Sequence, residues 1–303
     1  MAISIPDLIG AILALLGALV VASQSILVRK STIDGSIKKL VGTVLTVNVI
    51  IWTILSFTAY YPDFKVNPTS LISFALSGFF GFFLGYRLMF LSIQRIGASR
   101  TMPLIRTQVI VALILSIFFL EESLSFYHLI GIVMILIGTG LVSKEIANDK
   151  ESIFLDRKLG LLDLSLPLIG GLSWGLNWFF TRRGLMEGTP VVLGLAISSI
   201  GGFIGFIVVE AILQKGFSLK KLRSPTFPWF LLIGFVCALS FFLNFSALSI
   251  SRVVVVNPIW QISPMFVLIL SYIFLPHLEK ITTKIIIGSI IIVLGTITVI
   301  LFM

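Results

Sequence analysis

The sequence holds few charges, and almost no acid inside its apolar stretches. Charged residues make up 12% of the 303, hydrophobic residues make up 57%, and the mean hydropathy is +1.12. Of the 13 acidic residues, all but Glu210 lie between the apolar runs or at their ends. This composition excludes a soluble domain and predicts a protein that crosses a lipid bilayer several times.

Cysteine and histidine are scarce as well. The single cysteine, Cys237, excludes both a disulfide framework and a cysteine metal site. The two histidines, His128 and His277, lack metal-ligand spacing, and no glycine-rich phosphate loop is present. We therefore predict no catalytic residue, no metal site, no cofactor and no enzymatic activity.

Ten apolar runs can be drawn, each long enough to cross a hydrocarbon core of roughly 30 Å as a helix. They cover approximately residues 8–28, 40–61, 70–94, 97–120, 124–143, 162–181, 189–213, 225–250, 253–275 and 282–303. The predicted fold class is an all-α polytopic membrane protein with ten transmembrane helices.

The two halves of the chain resemble each other. The matches are Phe90 with Phe245 and Pro103 with Pro258 at a shift of 155, Gly131 with Gly288 and Gly138 with Gly295 at a shift of 157, and AxQxxxxRK (22–30) with GxNxxxxRR (175–183) at a shift of 153. Since five helices are an odd number, the second half enters the membrane from the opposite face. We expect an inverted pair of five-helix repeats at residues 1–143 and 164–303, joined by a charged linker at 144–163.

The net charge of +9 resides mainly in the short loops. This placement favours orientation signals over nucleic-acid binding. Of the 22 Lys and Arg residues, sixteen lie on the face where helices 1, 3, 5, 7 and 9 end, and four lie on the other face. The positive-inside rule then predicts a cell-membrane protein with both termini outside the cytoplasm.

Motifs in helices 3 to 5 resemble the EamA-type drug/metabolite transporter superfamily. The resembling residues are Gly97-Ala98-Ser99, Pro103, Glu121-Glu122 and Gly131 with Gly138, and they are echoed by Pro258, Glu279, Gly288 and Gly295. The resemblance implies ten helices in two inverted repeats, a central cavity lined mainly by helices 1, 3, 4, 6, 8 and 9, and alternating access. Members of the superfamily commonly have a cytoplasmic N terminus, whereas the charge count places it outside.

Two arginines, Arg87 and Arg106, lie inside apolar runs. An arginine at the centre of a membrane helix costs about 2.5 to 3.5 kcal/mol on insertion scales, so such residues usually face a cavity or a partner. One hypothesis is that both line a cavity and bind a carboxylate or phosphate, which the planar guanidinium suits. The alternatives are snorkelling or bonding to helix carbonyls, and pairing with Glu210.

Aromatic and amide side chains form a second candidate set of substrate-binding residues. They are Gln24, Tyr86, Trp174, Asn177, Trp178, Asn244, Asn257, Trp260 and Gln261. Such groups orient a ligand in an otherwise apolar pocket, but they also hydrogen-bond neighbouring helices, at about 0.6 kcal/mol each.

Three prolines, Pro103, Pro258 and Pro264, interrupt helices 4 and 9 and are candidate hinges. Glu210 is the one candidate proton carrier within a span, so classical proton antiport is disfavoured and exchange or facilitated diffusion fits better.

We therefore predict a secondary transporter for a small anionic or zwitterionic metabolite, such as an amino acid or an organic or phosphate anion. Its expected partners are this small molecule and the lipid bilayer, without nucleic acid, and the expected state is a monomer or homodimer. One alternative is a multidrug or cationic-compound exporter. Another is a membrane-embedded lipid enzyme or lipid-carrier flippase.

Overall fold

The structure, a computed structural model, describes residues 5–32, 36–64, 66–120, 126–148, 161–212, 226–275 and 282–301. Its helices are α1 (Ile5–Ser31), α2 (Ile37–Tyr60), α3 (Pro68–Ser77), a π-helical segment (Gly78–Gly85), α4 (Tyr86–Ile96), α5 (Ala98–Ile105), α6 (Gln108–Leu120), α7 (Phe126–Asn148), α8 (Leu161–Met186), α9 (Val191–Ile212), α10 (Phe227–Ile250), α11 (Val253–Trp260), α12 (Ser263–Phe274) and α13 (Thr283–Leu301). Predicted features at Glu121, Glu122, Glu279, His277 and linker residues 149–160 lie outside the described residues.

These helices make ten passes, so the predicted fold class is confirmed. The α3 helix, the π segment and α4 form one continuous pass, and α5 with α6 and α11 with α12 form two broken ones. Within the described residues, five helices are long and apolar enough to cross a membrane by length and composition alone. They are Ile5–Ser31, Ile37–Tyr60, Pro68–Ile96, Val191–Ile212 and Phe227–Ile250.

Both broken passes were predicted as single runs, and each break follows a proline. The α5 helix ends at Ile105 and α6 begins at Gln108, just beyond Pro103; α11 ends at Trp260 and α12 begins at Ser263, just beyond Pro258. A proline cannot donate to the carbonyl four residues before it and disfavours helix at the preceding residue, so its effect falls on the N-terminal side of its position. Pro264, in the first turn of α12, therefore leaves the Trp260 carbonyl without a helical donor and accounts for the end of α11 at this residue, whereas Pro103 and Pro258 lie inside the helices that precede the breaks. The hinge role of all three stays a prediction.

The α1 helix shows how the passes divide their faces between protein and lipid. Ala14, Gly17 and Ala18 are buried, while Ile12 and Leu16 are about half exposed. Small residues allow helices to approach closely, and large aliphatic side chains suit the lipid. The inward face of α1 therefore consists mainly of small residues, with a few polar ones.

The last helices of the two repeats, α7 and α13, cross at glycines. A Cβ atom on Gly138 would lie 2.5 Å from the Gly288 carbonyl oxygen, and one on Gly295 would lie 2.6 Å from the Gly131 carbonyl oxygen. The contact is reciprocal, as an inverted pair of repeats requires. The pseudo-twofold axis that relates the two repeats therefore passes through this crossing of α7 and α13.

The π segment has the sequence GFFGFFLG. Its glycines permit close packing, because a Cβ atom on Gly78 would meet the backbone of Ser198 in α9, and one on Gly85 would meet the Trp174 indole in α8. The wider π turn shifts the register of the residues that follow. In α4 this register buries Tyr86, Met89 and other residues of the same face.

Candidate functional site

A central cavity lies between the two repeats, next to the first helix break. Its volume is about 30 Å³, which is room for about two water molecules. Residues from α1, α4, α5, α8, α10 and α11 line it, with two more from the first break and the start of α6. They are Val21, Gln24, Tyr86, Met89, Met102, Ile105, Arg106, Gln108, Trp174, Trp178, Ser240, Phe241, Asn244 and Trp260.

The cavity lies on the pseudo-twofold axis, because equivalent positions of the two repeats line it together. The equivalent pairs are Tyr86 with Phe241, Met89 with Asn244 and Ile105 with Trp260 at a shift of 155, and Val21 with Trp174 at a shift of 153. The Tyr86 and Phe241 rings meet edge to face, with centroids 5.3 Å apart. The equivalent residues occupy symmetric positions around the cavity, but their side chains differ in polarity and size.

Arg106 lies in the break between α5 and α6, and it is only 2% exposed. Its Nε donates to the Met102 carbonyl at 3.0 Å, and its Nη1 donates to Gln261 Oε1 at 3.2 Å and the Trp260 carbonyl at 3.4 Å. Arg106 takes part in none of the ion pairs among the described residues. In this part of the chain, a buried cation lines the cavity and is held by amide and carbonyl oxygens rather than by a carboxylate.

Other polar atoms at the cavity also lack a partner within the described part of the chain. They are both amide atoms of Gln24, the indole nitrogen of Trp174 and Oδ1 of Asn244. Buried polar groups are nearly always hydrogen-bonded, so such atoms call for water or a ligand. Together with Arg106 they offer a cationic donor, neutral donors and amide acceptors around one small space.

Aromatic rings form the remaining walls. The Trp178 and Trp260 rings meet edge to face at 5.6 Å, and the Tyr86 and Trp174 rings at 5.3 Å. Trp260 packs directly on Gly17, where any added Cβ atom would collide with its indole. The absence of a side chain at Gly17 therefore sets the position of this wall.

Comparison with known families decides what kind of protein carries this cavity. The model of the EamA-like transporter family matches residues 8–144 and again residues 162–301. The chain belongs to the EamA-like transporter family. It is a multi-pass membrane transporter of the drug/metabolite transporter superfamily, and the resemblance drawn from its motifs is confirmed.

Proteins with a curated description give no match to this EamA-like transporter. A solved crystal structure, described only as that of a protein, matches with a TM-score of 0.66 and 14% identity, over 98% of this chain and 96% of that chain. At this identity the likeness shows the fold alone. The predicted boundaries at 143 and 164 stay predictions.

Arg87 of the transporter does not line the cavity. Its Nη1 lies 2.6 Å from Glu210 Oε1, its guanidinium lies over the Phe83 ring, and the other oxygen of Glu210 lies 2.5 Å from Lys38 Nζ. Of the alternatives left open for Arg87, pairing with Glu210 is the one that the structure shows. The cluster joins α2, α4 and α9, so Arg87 and Arg106 do not form one anion site.

Glu210 itself is 3% exposed at its side chain and lies between two cations. Each of the two cations lies against one oxygen of the carboxylate, so Glu210 is their common partner. This geometry favours a structural role, whereas its role as a proton carrier stays an untested prediction.

The amide residues predicted for the site divide between the cavity and the helix contacts. Asn177 donates to the Ser77 carbonyl and hydroxyl oxygens at 3.0 and 2.9 Å, so it joins α8 to α3. Gln261 donates to both oxygens of Asn257 and accepts from Arg106, which makes these two residues supports of the guanidinium. Gln24 and Asn244 do line the cavity.

Sequence reasoning missed several apolar wall residues, among them Met89, Met102 and Phe241. It also missed Lys38 as a partner of Glu210. The repeat shift could have found Phe241, as the equivalent of the predicted Tyr86, and Met89, as the equivalent of the predicted Asn244. The sequence gives no comparable signal for Lys38, which precedes an apolar run in a typical loop position.

Proposed function

We propose that this EamA-like transporter carries a small anionic or zwitterionic metabolite, with its carboxylate or phosphate bound to Arg106, by alternating access around the central cavity. The observation that carries the proposal is the buried Arg106 guanidinium, which lines the cavity and has no carboxylate partner among the described residues. A buried charge is stable only when it is compensated, and an anionic ligand supplies that compensation.

The other polar groups suit the rest of such a ligand. The Trp174 indole and the Gln24 amide can donate to further oxygens of an anion, and Asn244 Oδ1 can accept from an ammonium group. The cavity volume of about 30 Å³ is too small for a metabolite, so the site must widen as the ligand enters. We infer rocking of the two repeats, with the helix breaks beside Arg106 and Gln261 as places where the backbone can bend.

The aromatic walls favour a second candidate, export of a cationic compound. The Tyr86, Trp174, Trp178 and Trp260 rings could hold a cation by cation–π contact. Arg106 opposes this because a substrate cation would lie in the same small space as its charge. A zwitterion reconciles both features, with its acid at Arg106 and its ammonium at the rings.

Thermal stabilisation of the purified full chain tests the proposal. Carboxylates, zwitterions, phosphate esters and organic cations are screened, and a ligand that binds only the folded state raises Tm with concentration. We expect anions or zwitterions to raise Tm, and Arg106→Gln to weaken their binding roughly 10- to 100-fold, as loss of a charged hydrogen bond predicts.

Arg87→Lys is the matched control, since it keeps the pairing with Glu210 and lies outside the cavity; ligand affinity should be unchanged. The proposal fails if only organic cations stabilise the protein. It also fails if Arg106→Gln binds the same anion as tightly as the parent chain.

A further inference from the structure

Arginines at the ends of α1 and α8 make the same hydrogen bond in the two repeats. Arg29 Nη1 donates to the Ile93 carbonyl at 3.1 Å and to the adjacent Gln94 carbonyl at 2.9 Å. Arg182 Nη1 donates to the Leu248 carbonyl at 2.6 Å. Arg29 and Arg182 are equivalent at the shift of 153, and Ile93 and Leu248 at the shift of 155. The central site uses neither arginine.

Each bond joins the first and third passes of its repeat at their C-terminal ends. The α4 helix ends at Ile96 and α10 ends at Ile250. The last four carbonyls of a helix lack helical partners and carry partial negative charge, so a guanidinium is a favourable donor to them. Such charge-assisted bonds are stronger than neutral ones.

A second contact on each face ties the same third pass to the other repeat. Arg95, at the end of α4, pairs with Asp163 at the start of α8 at 2.9 Å. Ser251, directly after α10, donates to Asp7 at the start of α1 at 2.6 Å. The end of α4 is thus bound to α1 and α8 on one face, and the end of α10 is bound to α8 and α1 on the other.

The two faces are opposite because α1 is the first pass and α8 is the sixth. The central cavity lies between α1, α4, α8 and α10, and it measures about 30 Å³ with both sets of bonds formed. We propose that Arg29 and Arg182 are paired gate residues, each of which must release its carbonyl partner before the cavity opens at its own membrane face. The inference rests on the proposed alternating access, and it assigns a residue to each of the two openings.

Accessibility of a single cysteine in the cavity tests the assignment without any substrate. The native thiol is removed by Cys237→Ala, and Ser240, which lines the cavity, is changed by Ser240→Cys. A membrane-impermeant maleimide is then added to right-side-out or inside-out vesicles. Arg29→Gln should raise labelling roughly tenfold from the face where α1 ends, and Arg182→Gln should do so from the opposite face, as expected when a charge-assisted bond of the closed state is lost.

The chain supplies matched controls beside each gate residue. Lys30 and Arg183 are the next residues along and are exposed, so Lys30→Gln and Arg183→Gln should leave labelling at the parent level. Arg29→Lys and Arg182→Lys keep a cationic donor and should give intermediate labelling, which keeps the test available if a glutamine variant does not fold.

Equal labelling from both faces, or no increase in either variant, would overturn the assignment. Either result would leave the ligand test at Arg106 unaffected, since the labelling uses no ligand.

Discussion

At the scale of single residues, Gln261 determines how the charge of Arg106 is presented to the cavity. The two residues are equivalent in the two repeats, and they touch across the pseudo-twofold axis through Nη1 and Oε1 at 3.2 Å. Asn257 in turn holds the Gln261 amide. A neutral partner orients the guanidinium and leaves its charge available, whereas an acidic one would neutralise it.

Gln261→Glu should therefore weaken anion binding with almost no change in side-chain volume. The new carboxylate would pair with Arg106, and Asn257 could rotate its amide, whose Nδ2 makes no hydrogen bond among the described residues, to donate to it. We expect at least about tenfold weaker affinity for the stabilising anion, measured as the ligand-dependent Tm shift. Gln261→Met, which adds no charge, should lose less, and equal affinity in the Glu variant and the parent chain would argue against a substrate anion at Arg106.

Glu210 should prove important for stability and dispensable for ligand binding. Glu210→Gln leaves Lys38 and Arg87 without their carboxylate, and since both cations are partly exposed we expect a cost of about 1 to 3 kcal/mol. Thermal unfolding should show a clear drop in Tm, while the ligand-dependent shift persists because Glu210 does not line the cavity. An unchanged Tm together with loss of a pH-driven flux would instead identify Glu210 as a proton carrier.

At the scale of helices, the length and pattern of the apolar runs were sufficient to predict the membrane passes. They were not sufficient to predict the direction in which each side chain points. Tyr86 and Arg87 were both expected at the site, yet adjacent residues of a helix with 3.6 residues per turn point about 100° apart. In the structure Tyr86 lines the cavity and Arg87 points to Glu210 instead. The π segment directly before them contributes to this register, and its sequence GFFGFFLG is indistinguishable from an ordinary apolar run. The pairing of Arg87 with Glu210 joins positions 123 apart in the chain, which no local pattern reveals.

The crossing of α7 and α13 offers a matched pair of glycines. Gly138→Ala places a methyl group against the Gly288 backbone, which cannot rotate away, whereas Gly140 on the same helix has nothing within 4 Å of an added Cβ. We expect Gly138→Ala to destabilise the protein by about 1 to 3 kcal/mol. Gly140→Ala should be neutral or stabilising by up to about 1 kcal/mol, because alanine favours the helix. Similar Tm values for both variants would contradict the close crossing.

At the scale of the whole molecule, the inverted repeat explains why the central site and the gates differ in symmetry. Residues on the axis meet their own equivalents, so Arg106 contacts Gln261 and one site results. Residues away from the axis are carried to the opposite membrane face, so Arg29 and Arg182 stay apart and two gates result. The motif match between residues 22–30 and 175–183 revealed this repeat in the sequence, but the carbonyl partners became visible only in the structure.

The charge count assigns a cell compartment to each gate. The sequence places sixteen of the 22 Lys and Arg residues in loops predicted on the face where α1 ends, and the positive-inside rule predicts that this face is cytoplasmic. Alkaline phosphatase fused to the C terminus of the full chain should then be active, and a fluorescent protein that folds only in the cytoplasm should stay dark there. The same fusions at the N terminus should agree, since ten passes return the chain to its starting side.

Fluorescence of the C-terminal fusion would show that the orientation is the opposite of the predicted one. Fusions that place the two termini on different sides of the membrane would contradict the even number of passes. With the predicted orientation, Arg29 controls opening toward the cytoplasm and Arg182 controls opening to the outside. The maleimide should then label Arg29→Gln in inside-out vesicles and Arg182→Gln in right-side-out vesicles. The fusions at the termini and the maleimide labelling of the cavity are independent measurements, and both must identify the same face as cytoplasmic.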